Sequence, residues 1–175
     1  LLMQGDTDEA VTAALRSLAE AEKTQDKLSI CYALRNAVCP IALTVGDMPL
    51  AERSVGQLVD MVTRNGMAFW ISWANCLQGQ LEVRRGTAAR GAALLRAGID
   101  ARAQSGWLMR NPEFTGTLAE ALAMQGQWTE ALAAVSGAIQ VCERDGQNWC
   151  LPELRRIKGE VLLAKPAIEA ADRSA

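Results

Sequence analysis

The chain contains no histidine in its 175 residues. That single absence removes Cys/His zinc sites, histidine general bases and histidine-dependent triads together. Cysteine is sparse and scattered: Cys31, Cys39, Cys76, Cys142 and Cys150 stand singly, without a C-x-x-C pair. An odd count inside apolar helical patterns points to buried thiols in a reducing cytosol, hence a cytoplasmic protein. Positive charge is not in excess either, because the net charge is −2 and the pI about 5.3. A basic face for nucleic acid is therefore not expected. No apolar run approaches the roughly 18–20 residues that a membrane helix requires. No G-x-x-x-x-G-K-[ST] loop offers a phosphate cradle, and "VSGA" at 135–138 lacks the flanks of a nucleophile elbow. Carboxylate pairs such as Asp8 with Glu9, or Glu153 with Glu160, lack the apolar pocket that tunes acid/base catalysis. These absences predict a protein that is not an enzyme and carries no cofactor or metal.

Glycine, in contrast, is placed with a beat. Gly46, Gly66, Gly86, Gly106, Gly126 and Gly146 follow one another at intervals of twenty, a repeat signal in a chain with 14 glycines. Between them the periodicity is helical. Val55, Leu58, Val59 and Val62 form one apolar stripe, as do Ala131, Leu132, Val135, Ala138 and Ile139. Each glycine is expected to end a helix in a left-handed cap. Asp47 and Thr87 are expected N-caps, and Asn111-Pro112-Glu113 reads as a helix start. This predicts an all-α chain of about eight helices, near 6–24, 28–45, 47–65, 68–85, 87–105, 111–125, 128–145 and 149–164. Short connections make neighbours antiparallel, Pro40 should kink the second helix, and Pro152 falls in the first turn of the last. Half the residues are apolar and 22% charged, enough for one continuous repeat domain over 1–165. A tail or the start of a truncated repeat is expected over 166–175, with Pro166 at a turn.

A forty-residue hairpin period aligns small residues. Cys39, Gly79, Ala119 and Gly159 fall together, as do Ala51, Gly91 and Ala131, and Leu58, Gly98 and Ala138. Small side chains at these offsets allow close helix approach.

These offsets carry a resemblance. "LAEALAMQGQWTEALAAVSGAI" resembles a tetratricopeptide repeat, lengthened from about 34 residues to a longer hairpin. "ALRNAVCPIALTVGD", "LAERSVGQLVDM", "RGTAARGAALLRAGID" and above all "ELRRIKGEVLLA" are similar to the C-terminal helical-repeat region of large bacterial STAND-class signalling ATPases. The resemblance implies a TPR-like right-handed superhelix of antiparallel hairpins. It also implies a longer protein, with an NTPase module and a winged-helix transcriptional or adenylate-cyclase domain upstream. The opening "LLMQGDTDEA" reads as a cut from such a polypeptide.

Candidate binding residues follow from that register, in which the first helix of each hairpin lines the concave face. Trp73, Gln80 and Arg84 lie on one such helix, Glu113, Glu120 and Met124 on the next, and Glu153, Arg156 and Glu160 on the last. A groove of mixed charge with one aromatic suits a peptide. The other tryptophans, Trp70, Trp107, Trp128 and Trp149, are expected to pack between helices or at their ends. Arg84, Arg85, Arg90, Arg96 and Arg102 are expected to be ordinary surface charge. The resulting reading is a non-catalytic protein-interaction scaffold that holds a peptide or the NTPase core of its own full-length chain. The alternative is a small-molecule sensor with an apolar pocket lined by Met67, Trp70 and Trp73. Self-association through exposed repeat ends is a further expectation.

Overall fold

The computed structural model describes residues 4–106 and 108–172, with side chains up to Ala164. Within them there is no strand, and eight helices follow in order: α1 (Thr7–Lys23), α2 (Lys27–Val45), α3 (Met48–Arg64), α4 (Ala68–Arg84), α5 (Ala88–Gln104), α6 (Asn111–Met124), α7 (Trp128–Asp145) and α8 (Leu151–Asp172). A 3-10 turn at Asn148–Cys150 leads into α8. The all-α reading and its helix boundaries agree closely with this order. The exception is the end: α8 continues through Pro166 to Asp172, where a turn and tail were expected. Proline is locked near φ −65°, a helical value, and cannot supply the left-handed residue that ends the earlier helices. Residues 173–175, like Trp107, lie outside the described residues.

All six phased glycines are left-handed, with φ of 77° at Gly46, 60° at Gly66, 82° at Gly86, 76° at Gly106, 75° at Gly126 and 70° at Gly146. The consequence is one repeated closure. The amide after the glycine reaches back to the carbonyl five residues earlier: Asp47 to Ala42 at 3.0 Å, Met67 to Val62 at 2.9 Å, Thr87 to Glu82 at 3.0 Å, Gln127 to Leu122 at 2.9 Å and Gln147 to Cys142 at 3.0 Å. These are Schellman closures, which satisfy carbonyls that a helix end otherwise leaves bare. Asp47 then caps α3 by accepting from the Leu50 amide at 3.0 Å. Thr87 does not cap α5; its hydroxyl instead donates to the Glu82 carboxylate at 2.6 Å.

The chain forms two compact units, 1–81 and 82–175. In the first, α2 lies against both α1 and α3. Leu34, Val38, Cys39 and Ala42 of α2 meet Ala51, Val55, Leu58 and Val62 of α3 in a core from which solvent is almost absent. Pro40 does not break α2. Leu34–Val38 immediately before it form a π turn, in which the Cys39 amide bonds to the Leu34 carbonyl. A proline with no N–H to donate removes the demand that the ladder keep its usual step there. This turn carries Arg35, which is 6% exposed and whose guanidinium lies over the rings of Trp73 (4.1 Å), Tyr32 (5.2 Å) and Trp70 (5.3 Å). The aromatic faces supply negative potential to a cation removed from water. The residues of α2 do reach the length and mean hydropathy (1.5) of a membrane-crossing segment, contrary to expectation. Half of that segment is buried inside the unit, as befits a core helix.

In the second unit α6 is the hub, packed against α5, α7 and α8. Small residues allow this: Gly91, Gly98, Ala119, Ala131 and Ala138 are buried at the aligned offsets. Gly116 is a further one, since a Cβ there would come within 2.6 Å of Leu154 Cδ2 on α8. Arg102 is fully buried rather than on the surface. Its guanidinium donates to Asn111 Oδ1 at 2.7 Å and to the Met109 carbonyl, and it lies 5.5 Å from the centre of the Phe114 ring. One arginine thus ties the long connection after α5 to the start of α6. All five cysteines are buried and free, and burial pushes the Cys150 thiol up to about 12 beside Cys142.

Glycine substitutions should separate the two roles that this residue plays. Gly126→Ala must hold a left-handed alanine and is expected to lower unfolding stability by about 1 kcal/mol or more. Gly137, inside α7 with open space around its α-carbon, should respond in the opposite direction, gaining about 0.5–1 kcal/mol as alanine. Urea unfolding of both variants checks the pair; equal signs would refute the assignment.

Candidate functional site

Helices α6 and α8 carry equivalent residues forty positions apart and lie side by side, so matching positions become neighbours. Glu120 and Glu160 are one such pair, Met124 and Ala164 another. Between them, with the last turn of α4 and the start of α7, runs an open groove of about 440 Å³. Val83, Ala123, Met124, Trp128, Ile157, Val161 and Ala164 supply its apolar floor, and Arg84, Glu120 and Glu160 its charged rim.

Arg156 organises the rim. It donates to both oxygens of Glu153, at 2.6 and 2.8 Å, and to Glu120 on α6 at 2.8 Å. Its remaining arm lies 2.5 Å from Glu160. Three carboxylates therefore share one guanidinium across two helices, a charge-assisted arrangement stronger than isolated surface pairs. The electrostatics divide by depth. Burial pushes the Glu120 carboxyl above its ordinary range, against the hydrogen bond from Arg156. Glu153, nearer solvent, is instead drawn below its ordinary range by its hydrogen bond from Arg156.

Of the expected binding residues, six meet here: Arg84, Glu120, Met124, Glu153, Arg156 and Glu160. Glu113 does not join them. It forms a two-pronged pair with Arg110, at 2.7 and 2.9 Å, and Arg110 in turn lies over the rings of Phe114 and Trp149. Gln80 and Trp73 belong to the first unit, Gln80 half-buried and Trp73 1% exposed. Trp73 is thus a core residue, corrected from its expected place on a binding face. Its ring is occupied by Arg35, as is that of Trp70. The groove floor was missed apart from Met124, although Val83 and Ala123 stand forty residues apart and carried the signal.

Family models, curated proteins and solved structures give no match to this chain.

Among the described residues no group of three His, Cys, Asp or Glu side chains is arranged to hold a metal ion. The other arginines serve the fold: Arg85 and Arg90 flank the buried Glu82 at 3.9 and 3.6 Å, and Arg96 pairs with Glu130.

Removing the organiser tests this account. Arg156→Met should cost about 1–2 kcal/mol at neutral pH, between the values for exposed and buried pairs. Without the guanidinium, folded Glu120 holds its proton to higher pH than unfolded Glu120 does. Stability of the variant then falls as pH rises through that interval and recovers as pH drops below it. Urea unfolding at neutral pH and at about pH 4 should show the loss shrinking in acid; an unchanged loss would count against a buried carboxylate.

Proposed function

We propose that this protein is a non-catalytic interaction module, a TPR-like repeat scaffold whose groove on α6 and α8 holds a peptide segment of another protein. The observation that carries the reading is the groove itself: a repeated helix position builds an apolar floor, and a braced ionic rim borders it. An apolar floor supplies affinity and a few placed charges supply orientation. The groove is open and lined by residues of four helices, a form suited to a chain rather than to an enclosed small molecule. Arg35 already fills the space between Trp70 and Trp73, so nothing favours a sensor pocket there. The resemblance to STAND-class signalling ATPases makes the NTPase core of the full-length protein the first partner to try. A regulatory effect then requires that the groove contact two states of that core differently.

Selection of a displayed random-peptide library on the purified chain tests the reading. Binders are expected that lose at least about tenfold in affinity on Ala123→Arg, which fills the floor. The melting curve of that variant should stay near the parent's, since Ala123 is half-exposed. A library that yields no groove-dependent binder would sink the proposal.

A further inference from the structure

We infer that the groove takes a basic amphipathic segment of a partner protein: Lys or Arg side chains on the carboxylate rim, Leu or Met side chains on the floor. This rests on the groove being a peptide site and adds the sign of its ligand. The floor leaves a large apolar side chain in water: Met124 is 55% exposed. On α8, Leu163, next in sequence to Ala164 of the floor, is 79% exposed. Open apolar groups of this size mark a surface that association covers.

The rim decides the charge. Glu120, Glu153 and Glu160 face Arg156 and Arg84, three negative groups against two positive. The hydrogen-bond inventory is more decisive than the sum. Arg156 has five N–H donors, and four contacts to carboxylates already engage it. Six carboxylate oxygens, each able to accept twice, retain most of their capacity. An incoming carboxylate finds one remaining N–H of Arg156 and the Arg84 guanidinium, whereas an incoming ammonium or guanidinium finds the acceptors of three carboxylates in place. Glu160, with 60% of its side chain exposed, is the most accessible of them.

Two fluorescein-labelled helical peptides with one Leu/Met pattern, one carrying Lys and Arg at its polar positions and the other Glu, provide the probe. Fluorescence anisotropy with the whole chain should show the basic peptide at least about tenfold tighter, and weakened by salt. Glu160→Lys should remove most of that preference. Asp100→Lys, an equal charge change on the exposed face of α5, should leave it nearly intact. Equal effects of the two variants, a tighter acidic peptide, or no binding of either peptide overturns the inference. So does a concentration-dependent dimer, abolished by Ala123→Arg in sedimentation, that fills the groove with a second copy. An acidic peptide bound in a way that Ala123→Arg abolishes would leave the peptide-site reading standing and refute only the sign, and the random library decides that reading independently.

Discussion

A left-handed glycine after each helix from α2 to α7 is the constraint on which this chain depends. It turns the backbone so that the next amide closes on the fifth carbonyl back, and the same bond recurs after α2, α3, α4, α6 and α7. The left-handed glycines stay twenty residues apart, and α1, α3, α4 and α5 each run for 17 residues. Equal spacing brings equal positions to equal depths. That is why Ala51, Gly91 and Ala131 are all buried, and why Glu120 and Glu160 come to border one groove. The groove is thus a consequence of turn geometry before it is a consequence of side-chain chemistry.

Much of this was legible in the amino-acid order because it rests on local rules. Gly126 needs no tertiary partner to favour a left-handed turn, and Asp47 needs only the amide three residues on to act as a cap. What could not be read was depth. Arg35, Arg102 and Arg156 are the same residue type on similar helical patterns, yet one is stacked among aromatic rings, one is sealed beside Asn111, and one stands half in solvent joining two helices. Burial is decided by neighbours distant in sequence. Trp73 was misplaced for the same reason: the forty-residue register gives its position on the helix, and the Arg35 guanidinium beneath it decides that it stays inside.

The candidate site shows the same division. Its charged residues stood out because acids recur at 113 and 153 and at 120 and 160. Its floor was quiet, since alanine, valine and isoleucine at helical spacing read as core. Only the packing of α6 against α8 and the end of α4 leaves some of them facing a space. Arg110 draws Glu113 aside into a separate pair at the helix start, so one of two chemically similar acids borders the groove and the other does not.

The π turn in α2 bears on the length of the repeat. From the left-handed Gln25 to Gly46 is 21 residues, one more than each later interval. A π turn is the one helical device that accommodates an extra residue without displacing the turns at either end. The surplus residue is taken up inside the helix at Leu34–Val38, and the helices downstream keep their phase. Helix interiors in this protein can therefore absorb an error in count while the left-handed glycines keep their spacing.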